Sequence, residues 1–430
     1  MMTPRLCPFL ARAAGAAVLF LGSAAAWSAP VAAVHEAAQA ERQAMLDTMR
    51  DLVGIESGSK DVEGVERIAA LLRDRLAALG GKAEIIQPAQ VFRLDDTPEK
   101  VGPMVRAEFL GSGDRKIMLI AHMDTVYRNG MLKDQPFRID GDKAYGLGIA
   151  DDKHGVAAII HTLALLRKLD FRGYGKITVL INGDEEISSP GARDTITALA
   201  ADQDAVFSYE GGGAEARLTL ATSGIGAAYL TVQGKTSHAG ARPEGGINAL
   251  YELAHQVLQM DKLSQPEKGL KLNWTIAQAG TNRNVIPGQA TAQADARALR
   301  VADFDALART LEEKSRNKLL PESKVSVKFE VRRPPLEATA ASRALASHGV
   351  AIYQELGLPM KVVDRASGGG TDTAFAALKA RGPVIEGMGL SGFGAHSNEA
   401  EYIQIGSIVP RLYLSTRMIM DVSQGKAPLK

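Results

Sequence analysis

The sequence predicts an α/β protein: an open, mostly parallel sheet whose run is broken by a smaller inserted domain. Three observations predict it. Short apolar runs, Ile117 to Ile120 and Ile177 to Ile181 among them, alternate with stretches of helical period. Near Ser223 this alternation gives way to another order of elements. After Pro334-Pro335 the first pattern returns.

Taken in order, residues 37–54 and 61–80 read as amphipathic helices. Ile117 to Ile120 begins a buried strand that runs into His122. A helix is expected from Asp151 to Leu169, with Val156, Ile159, Ile160, Leu163 and Leu166 at helical spacing. Strands follow at Lys176 to Asn182 and at Ala205 to Glu210. Ile225 to Val232 then reads as a strand, Asn248 to Leu263 as a helix, and Leu272 to Ala279 and Ala290 to Leu299 as strands. Asp303 to Asn317 reads as a helix and Val325 to Val331 as a strand. That order is β-α-β-β-α-β, the ferredoxin-like arrangement. A helix from Ala341 to Leu356 and a strand near Pro383-Val384-Ile385 belong again to the larger domain. The expected division is therefore 34–223 and 333–430 for the larger domain and 224–332 for the insert.

Composition excludes several classes. A chain of 430 residues with 46% hydrophobic and 23% charged residues is an ordinary globular one. A formal charge of +1 argues against a dedicated nucleic-acid binder. The single cysteine excludes an intrachain disulfide and a cysteine-based zinc cluster, so any metal falls to His, Asp and Glu. Arg5 and Arg12 precede the small, apolar stretch Ala13 to Ala26, the layout of a secretory signal peptide over 1–26. Cleavage is expected between 26 and 33, and an uncleaved anchor is the alternative. No later stretch approaches roughly 18 uninterrupted apolar residues. The mature protein is thus expected in the periplasm or secreted, with no membrane attachment.

The chemistry gathers at strand ends. His122 and Asp124 share one face of an extended chain, so Asp124 is placed to accept the second ring N–H of a ligating His122. Asp151-Asp152 opens a helix, either as an acidic first turn or as a source of a bridging carboxylate. Asp184-Glu185-Glu186 follows a buried strand, either as a solvated loop or as a metal ligand beside a proton shuttle. Glu210 precedes three glycines, and His396 lies in the glycine-rich run Gly392 to Ser397. Jointly, His122, Asp151, Glu186, Glu210 and His396 make two ligand pairs and one shared carboxylate. Such an N/O set suits two Zn²⁺ ions, with Co²⁺ or Mn²⁺ as alternatives. Glu185, beside a ligand, is placed to take a proton from the attacking water.

The segments HMDTV, GIADDK, GDEE, SYEGG and GAHSNEAEY resemble those of the di-zinc exopeptidase/deacylase family, in the expected order. GKTSHAGARPE, NWTIAQAG and the tail EAEYIQIGSIVPRLYLSTRMIMD are similar to its glutamate carboxypeptidase members. The resemblance implies that Glu210 pairs with His122 and Glu186 with His396 on either side of Asp151, and that the Asp151-Asp152 peptide is cis. It implies a homodimer through the insert, with His238 stabilising the oxyanion, often across the dimer, and with Asn284 and Arg297 holding the substrate's carboxylate side. Arg217, seven residues after Glu210, is a candidate for an acidic substrate side chain, with Arg332 and Arg333 as rivals. One departure is His154, where the family has a glycine; it either crowds a backbone approach or lies on the outer face of its helix. The implied activity is hydrolysis of the amide bond to a C-terminal glutamate in folate-like, N-acyl-glutamate or peptide substrates. The alternatives are an N-acyl-amino-acid deacylase or dipeptidase on the same scaffold, and a non-catalytic binding protein.

Overall fold

The computed structural model describes residues 29–396 and 401–430; the expected signal peptide lies outside them. Six strands form the main sheet, in the order Lys82–Ile86, Met104–Leu110, Lys176–Asn182, Lys116–His122, Ala205–Ser208 and Val384–Ile385. The last four run parallel, and the first two add an antiparallel edge. The strand Lys116–His122 lies between Lys176–Asn182 and Ala205–Ser208 and is buried on both faces, which is why its sequence is a near-continuous apolar run rather than an alternating one. Ile117, Leu119 and Ala121 share one core with the helices Ala32–Val53, Val62–Ala78, His154–Lys168 and Ile408–Ser423. Met118 and Ile120 share another, with the helices Arg193–Ala200 and Thr373–Ala377. The three layers leave the carboxyl ends of the parallel strands open at one rim, the place where sheets of this kind receive ligands.

The insert follows the expected order. Gly224–Gln233, Ala249–Met260, Lys271–Ala279, Gln289–Ala298, Val301–Ser315 and Lys324–Arg333 alternate as β-α-β-β-α-β. Its antiparallel sheet has the order 271–279, 289–298, 224–233, 324–333. The alanines at 290, 292, 294, 296 and 298 face inward, and their small side chains let Leu253, Phe304, Leu307 and Leu311 close on the sheet.

Three readings need correction. The helix expected from Asp151 begins at His154. Residues 149–153 form a separate turn in which Asp151 (φ −155°, ψ 90°) and Asp152 (φ −133°, ψ 32°) are non-helical, because Asp151 is turned toward two histidines. The strand expected to reach Glu210 ends at Ser208, although the Tyr209 amide still donates to the Ile120 carbonyl at 2.8 Å. His154 is not on an outer face. It is buried, its Nδ1 lies 3.0 Å from the Ile149 carbonyl, and a Cβ at Gly389 would come within 2.5 Å of its Nε2. Burial pushes its imidazole down to about 4.

Candidate metal centre

His122 ends the central strand, and its buried ring is gripped on both sides. Nδ1 lies 3.1 Å from the Asp124 carbonyl and 3.3 Å from its carboxylate. Nε2 lies 2.9 Å from Asp151 Oδ1 and 3.3 Å from Glu210 Oε1. On the other side of Asp151, His396 Nε2 is 3.1 Å from Asp151 Oδ2 and 3.1 Å from Glu186 Oε2. The five residues form two groups, His122-Asp151-Glu210 and Asp151-Glu186-His396, with the ligand atoms of each within 4.8 Å of one another. Asp151 is common to both. The Asp151-Asp152 peptide is cis.

Neighbouring groups hold this set in place. The Asp124 carboxylate accepts from Ser59 Oγ at 2.7 Å and from the amides of Glu185 and Glu186 at 3.1 Å each. One buried carboxylate thereby ties the end of the 116–122 strand to the turn that carries the two glutamates. Glu401, 1% exposed, serves the Asp151 turn. Its Oε1 accepts from the amides of Ala150 (2.7 Å) and Asp151 (3.1 Å). Its Oε2 accepts from Tyr127 Oη (2.6 Å) and the Gly148 amide (3.1 Å). His396 sits at φ +61°, a backbone conformation uncommon for a residue with a Cβ. The loop that reaches it is threaded through Gly392 and Gly394.

Burial raises the Glu186 carboxyl to about 7, and the neighbouring Asp151 pushes the same way. Burial also raises Glu210 and, against the pull of Arg333, Glu185. Burial alone would push His122 down, but Glu210, Asp124 and Asp151 hold it well above the ordinary imidazole value. So many carboxylates buried together require compensation. Two histidines and three carboxylates, all N/O donors converging in two groups, fit a pair of divalent cations. Glu186 Oε1, buried without a hydrogen-bond partner among the described residues, fits the same reading. Beside Glu186 a cavity of about 1030 Å³ opens between Ser59, Val62, Tyr127, Arg128 and Ile187.

The other site candidates fall elsewhere. Glu185 is buried next to the centre, with Oε1 2.9 Å from Arg333 Nη2. His238 and Asn284 are exposed in adjacent loops of the insert, joined by the Ala239 amide and the Asn284 carbonyl at 2.9 Å. Among the described residues, no hydrogen bond or ion pair joins either to the five-residue centre of the same chain. Arg297 makes a two-point pair with Asp295, both distances 2.9 Å, and donates to the Gly368 carbonyl at 3.0 Å. Arg217 is exposed and lies over Gly213, whose carbonyl accepts from the Gly392 amide at 3.2 Å. It therefore sits between the loops that present Glu210 and His396. Arg333 is corrected as a candidate for an acidic substrate: it is 2% exposed and occupied by Glu185 and Asp372. Arg332 pairs with Asp96 at 2.7 Å. Ser59, Asp372 and Glu401 escaped the sequence reading. Only Glu401 stands within a family-like segment, GAHSNEAEY, and nothing there distinguishes an amide-binding carboxylate from a solvated one.

The layered α/β fold and the two converging groups of N/O ligands fit a metal-dependent hydrolase. The chain belongs to Peptidase family M20/M25/M40, whose profile matches residues 118–421. It is 45% identical over 394 residues to Carboxypeptidase G2 of Pseudomonas sp. (strain RS-16), covering 91% of this chain and 92% of that one. It is 30% identical over 168 residues to one subunit of the p-aminobenzoyl-glutamate hydrolase of Escherichia coli (strain K12), covering 37% of this chain and 35% of that one. Among solved structures, a tripeptidase of Staphylococcus aureus has the same fold, with a TM-score of 0.73 at 21% identity over 89% of this chain and 99% of that one.

Proposed function

We propose that this protein is a zinc-dependent carboxypeptidase that hydrolyses the amide bond to a C-terminal glutamate in folate-like, N-acyl-glutamate or peptide substrates. The observation that carries the reading is the pair of ligand groups sharing Asp151, with Glu185 immediately beside them. The likeness to Carboxypeptidase G2 over nearly the whole chain supports a carboxypeptidase, and the hydrolase relative supports an aminobenzoyl-glutamate type of substrate. The large cavity beside Glu186 has room for the acyl portion.

His122 and Glu210 would hold one Zn²⁺, Glu186 and His396 the other, and Asp151 would bridge them. When bound, the metal pair supplies a Lewis acid for the scissile carbonyl and makes water acidic enough to attack near neutral pH. Glu185 then takes the proton from the attacking water at its carboxylate and delivers it to the departing nitrogen. Asp124 keeps the His122 proton on Nδ1, leaving Nε2 as the ligand atom. His238 is suited to donate to a developing oxyanion. Its Nδ1 accepts from the Gly240 and Ala241 amides at 3.1 Å each, so the neutral ring carries its proton on Nε2. Arg217, Asn284 and Arg297 would receive the carboxylates of the departing glutamate.

A homodimer through the insert would bring His238 to the partner's centre. The supporting observation is a surface left open. The strand Lys271–Ala279 is an edge of the inserted sheet, and Leu258 and Tyr251 on the adjoining helix are 74% and 62% exposed. The leader pattern at 1–26 supports a mature enzyme in the periplasm or outside the cell. Among the described residues, no helix is long and apolar enough to cross a membrane.

The test is a panel of folate, methotrexate, N-acetyl-glutamate and dipeptides ending in glutamate or in leucine, assayed with zinc-loaded enzyme. Release of glutamate in preference to other amino acids is expected. Preferential release of neutral amino acids would favour a deacylase or dipeptidase, and no turnover at full metal occupancy would overturn the catalytic reading. Elemental analysis should find about two zinc ions per chain.

A further inference from the structure

The last strand of the insert carries an irregularity beside the centre. Lys324–Arg333 pairs with Gly224–Gln233 residue for residue as far as Val331, opposite Gly226, and then skips, so that Arg333 rather than Arg332 stands opposite Ile225. The extra residue is a bulge, a device that re-aims a side chain. It brings Arg333 onto the face that carries Glu330, turned away from the insert's own helices and toward the larger domain, whose Asp95 amide donates to Glu330.

The re-aimed guanidinium is 2% exposed and reaches out of the insert into the larger domain. Nη2 donates to the Glu185 carbonyl at 2.8 Å and lies 2.9 Å from Glu185 Oε1, so backbone and carboxylate of one residue are held by one nitrogen. Nη1 lies 2.7 Å from Asp372 Oδ1. Asp372 is fixed in turn by Asn182 Nδ2 and Ser189 Oγ, on either side of the Glu185 turn. The Phe375 ring lies 5.5 Å from the guanidinium carbon. Gly370 closes over the arginine, and a Cβ there would come within 3.1 Å of its Cδ. An arginine so enclosed, its charge matched by two carboxylates of the chain itself, is poorly placed to meet a substrate.

We propose that Arg333 is a positioning residue for Glu185: from the end of the insert it holds the proton shuttle's carboxylate and backbone, so that the seat of Glu185 depends on where the insert lies. This rests on the reading of Glu185 as the proton shuttle. A planar guanidinium can engage Glu185 and Asp372 at once, whereas an ammonium is a single point.

The experiment is steady-state kinetics on metal-loaded enzyme carrying Arg333→Met, Arg333→Lys, Glu185→Gln and the Glu185→Gln/Arg333→Met pair, with metal content measured for each. Arg333→Met is expected to lower kcat about 10²-fold through misplacement of the shuttle, at unchanged metal content and with KM within about twofold. Arg333→Lys should recover part of kcat. In the Glu185→Gln background, where no shuttle is left to position, adding Arg333→Met should change kcat by no more than about twofold. The proposal is overturned if Arg333→Met raises KM at intact kcat, which would make Arg333 a substrate anchor. It is overturned equally if the loss is the same in both backgrounds, which would make the role structural. Retained turnover in Glu185→Gln alone would remove the role of Glu185, and this proposal with it. Should Arg333→Met fail to fold, the same comparison is made with Arg333→Lys in both backgrounds.

Discussion

Glu401→Gln tests how far the Asp151 turn depends on one buried carboxylate. Glu401 accepts two hydrogen bonds at each oxygen, from Ala150 and Asp151 amides at Oε1 and from Tyr127 Oη and the Gly148 amide at Oε2. Glutamine has one oxygen, so it can serve only one of these pairs. Its NH₂ must then face two donors. With the NH₂ in the Oε2 place, the Tyr127 hydroxyl can turn to accept from it but the Gly148 amide cannot, and an unmatched buried donor costs about 1–3 kcal/mol, which is the unrelaxed loss. The turn can relieve part of this only by moving, and Asp151, shared by both ligand groups, moves with it. Loss of an orienting partner behind a metal ligand typically lowers metal affinity 10- to 100-fold. The assay is competition with a chromophoric chelator, following zinc release from wild type and variant, with thermal unfolding of the zinc-loaded forms in parallel. Weaker zinc retention by about that factor is expected, together with a lowered Tm and activity that returns toward wild type in excess zinc. Wild-type zinc retention in a folded Glu401→Gln enzyme would refute the argument, because it would mean that Asp151 keeps its place without the carboxylate.

Three further outcomes follow from the geometry. Glu185→Gln should keep both metals and lose turnover by roughly 10²–10⁴-fold, since an amide cannot take a proton; loss of a metal with activity restored on resupply would instead make Glu185 a ligand. Arg217→Ala should raise KM for substrates ending in glutamate far more than for those ending in leucine, shrinking the preference roughly 10- to 150-fold, the equivalent of one charge-assisted contact; equal losses on both would place acidic selectivity elsewhere. Glu41 joins the first helix to His161 at 2.7 Å, and the hydrogen bond from His161 holds its carboxyl below the ordinary value against the opposing effect of burial. A depressed carboxyl contributes fully above the unfolded value of about 4.3, and the contribution is lost as pH falls through the lower folded value. Glu41→Gln should therefore cost about 1 kcal/mol at pH 7, below the usual range for a charge-assisted bond because solvent reaches the carboxylate, and less at pH 3. Equal destabilisation at both values, by denaturant titration, would show that packing rather than charge is responsible.

Much of the fold was legible because its periods were clean. Lys176–Asn182 exceeds the apolar run Ile177 to Ile181 by one residue at each end, and the insert's six elements fall in the order read from the sequence. The helix Ile408–Ser423 is not legible in the sequence, for two physical reasons. Leu412, Tyr413, Leu414, Ser415, Thr416, Met418 and Ile419 are all buried, so no polar face marks the helical period. Pro410 also reads as a breaker, though within the first turn it is tolerated. At the centre, the five converging side chains were legible because each stands where an element ends, beside turn residues or glycines. The partners behind them were not. Ser59, Asp372 and Glu401 are ordinary polar residues whose part depends on contacts 65, 183 and 251 positions away in the chain, which no local pattern encodes. Asp151 misled the helix assignment because an acidic first turn and a shared ligand look alike in one dimension.

The insert enters and leaves through neighbouring strands: Ile225 and Arg333 stand opposite each other in an antiparallel pair. This bears on the order in which the chain folds. The host's edge strand Val384–Ile385 must find Val206-Phe207, and the whole insert lies between them. Closing a flexible loop costs more the longer it is, by about 0.6 kcal/mol per doubling, and distant pairings slow folding further. An insert that folds first clamps its own two ends about 4.5–5.5 Å apart and removes its length from the loop that the host must close. Destabilising the insert, far from the host's sheet, should therefore slow assembly of that sheet while leaving its unfolding rate nearly untouched.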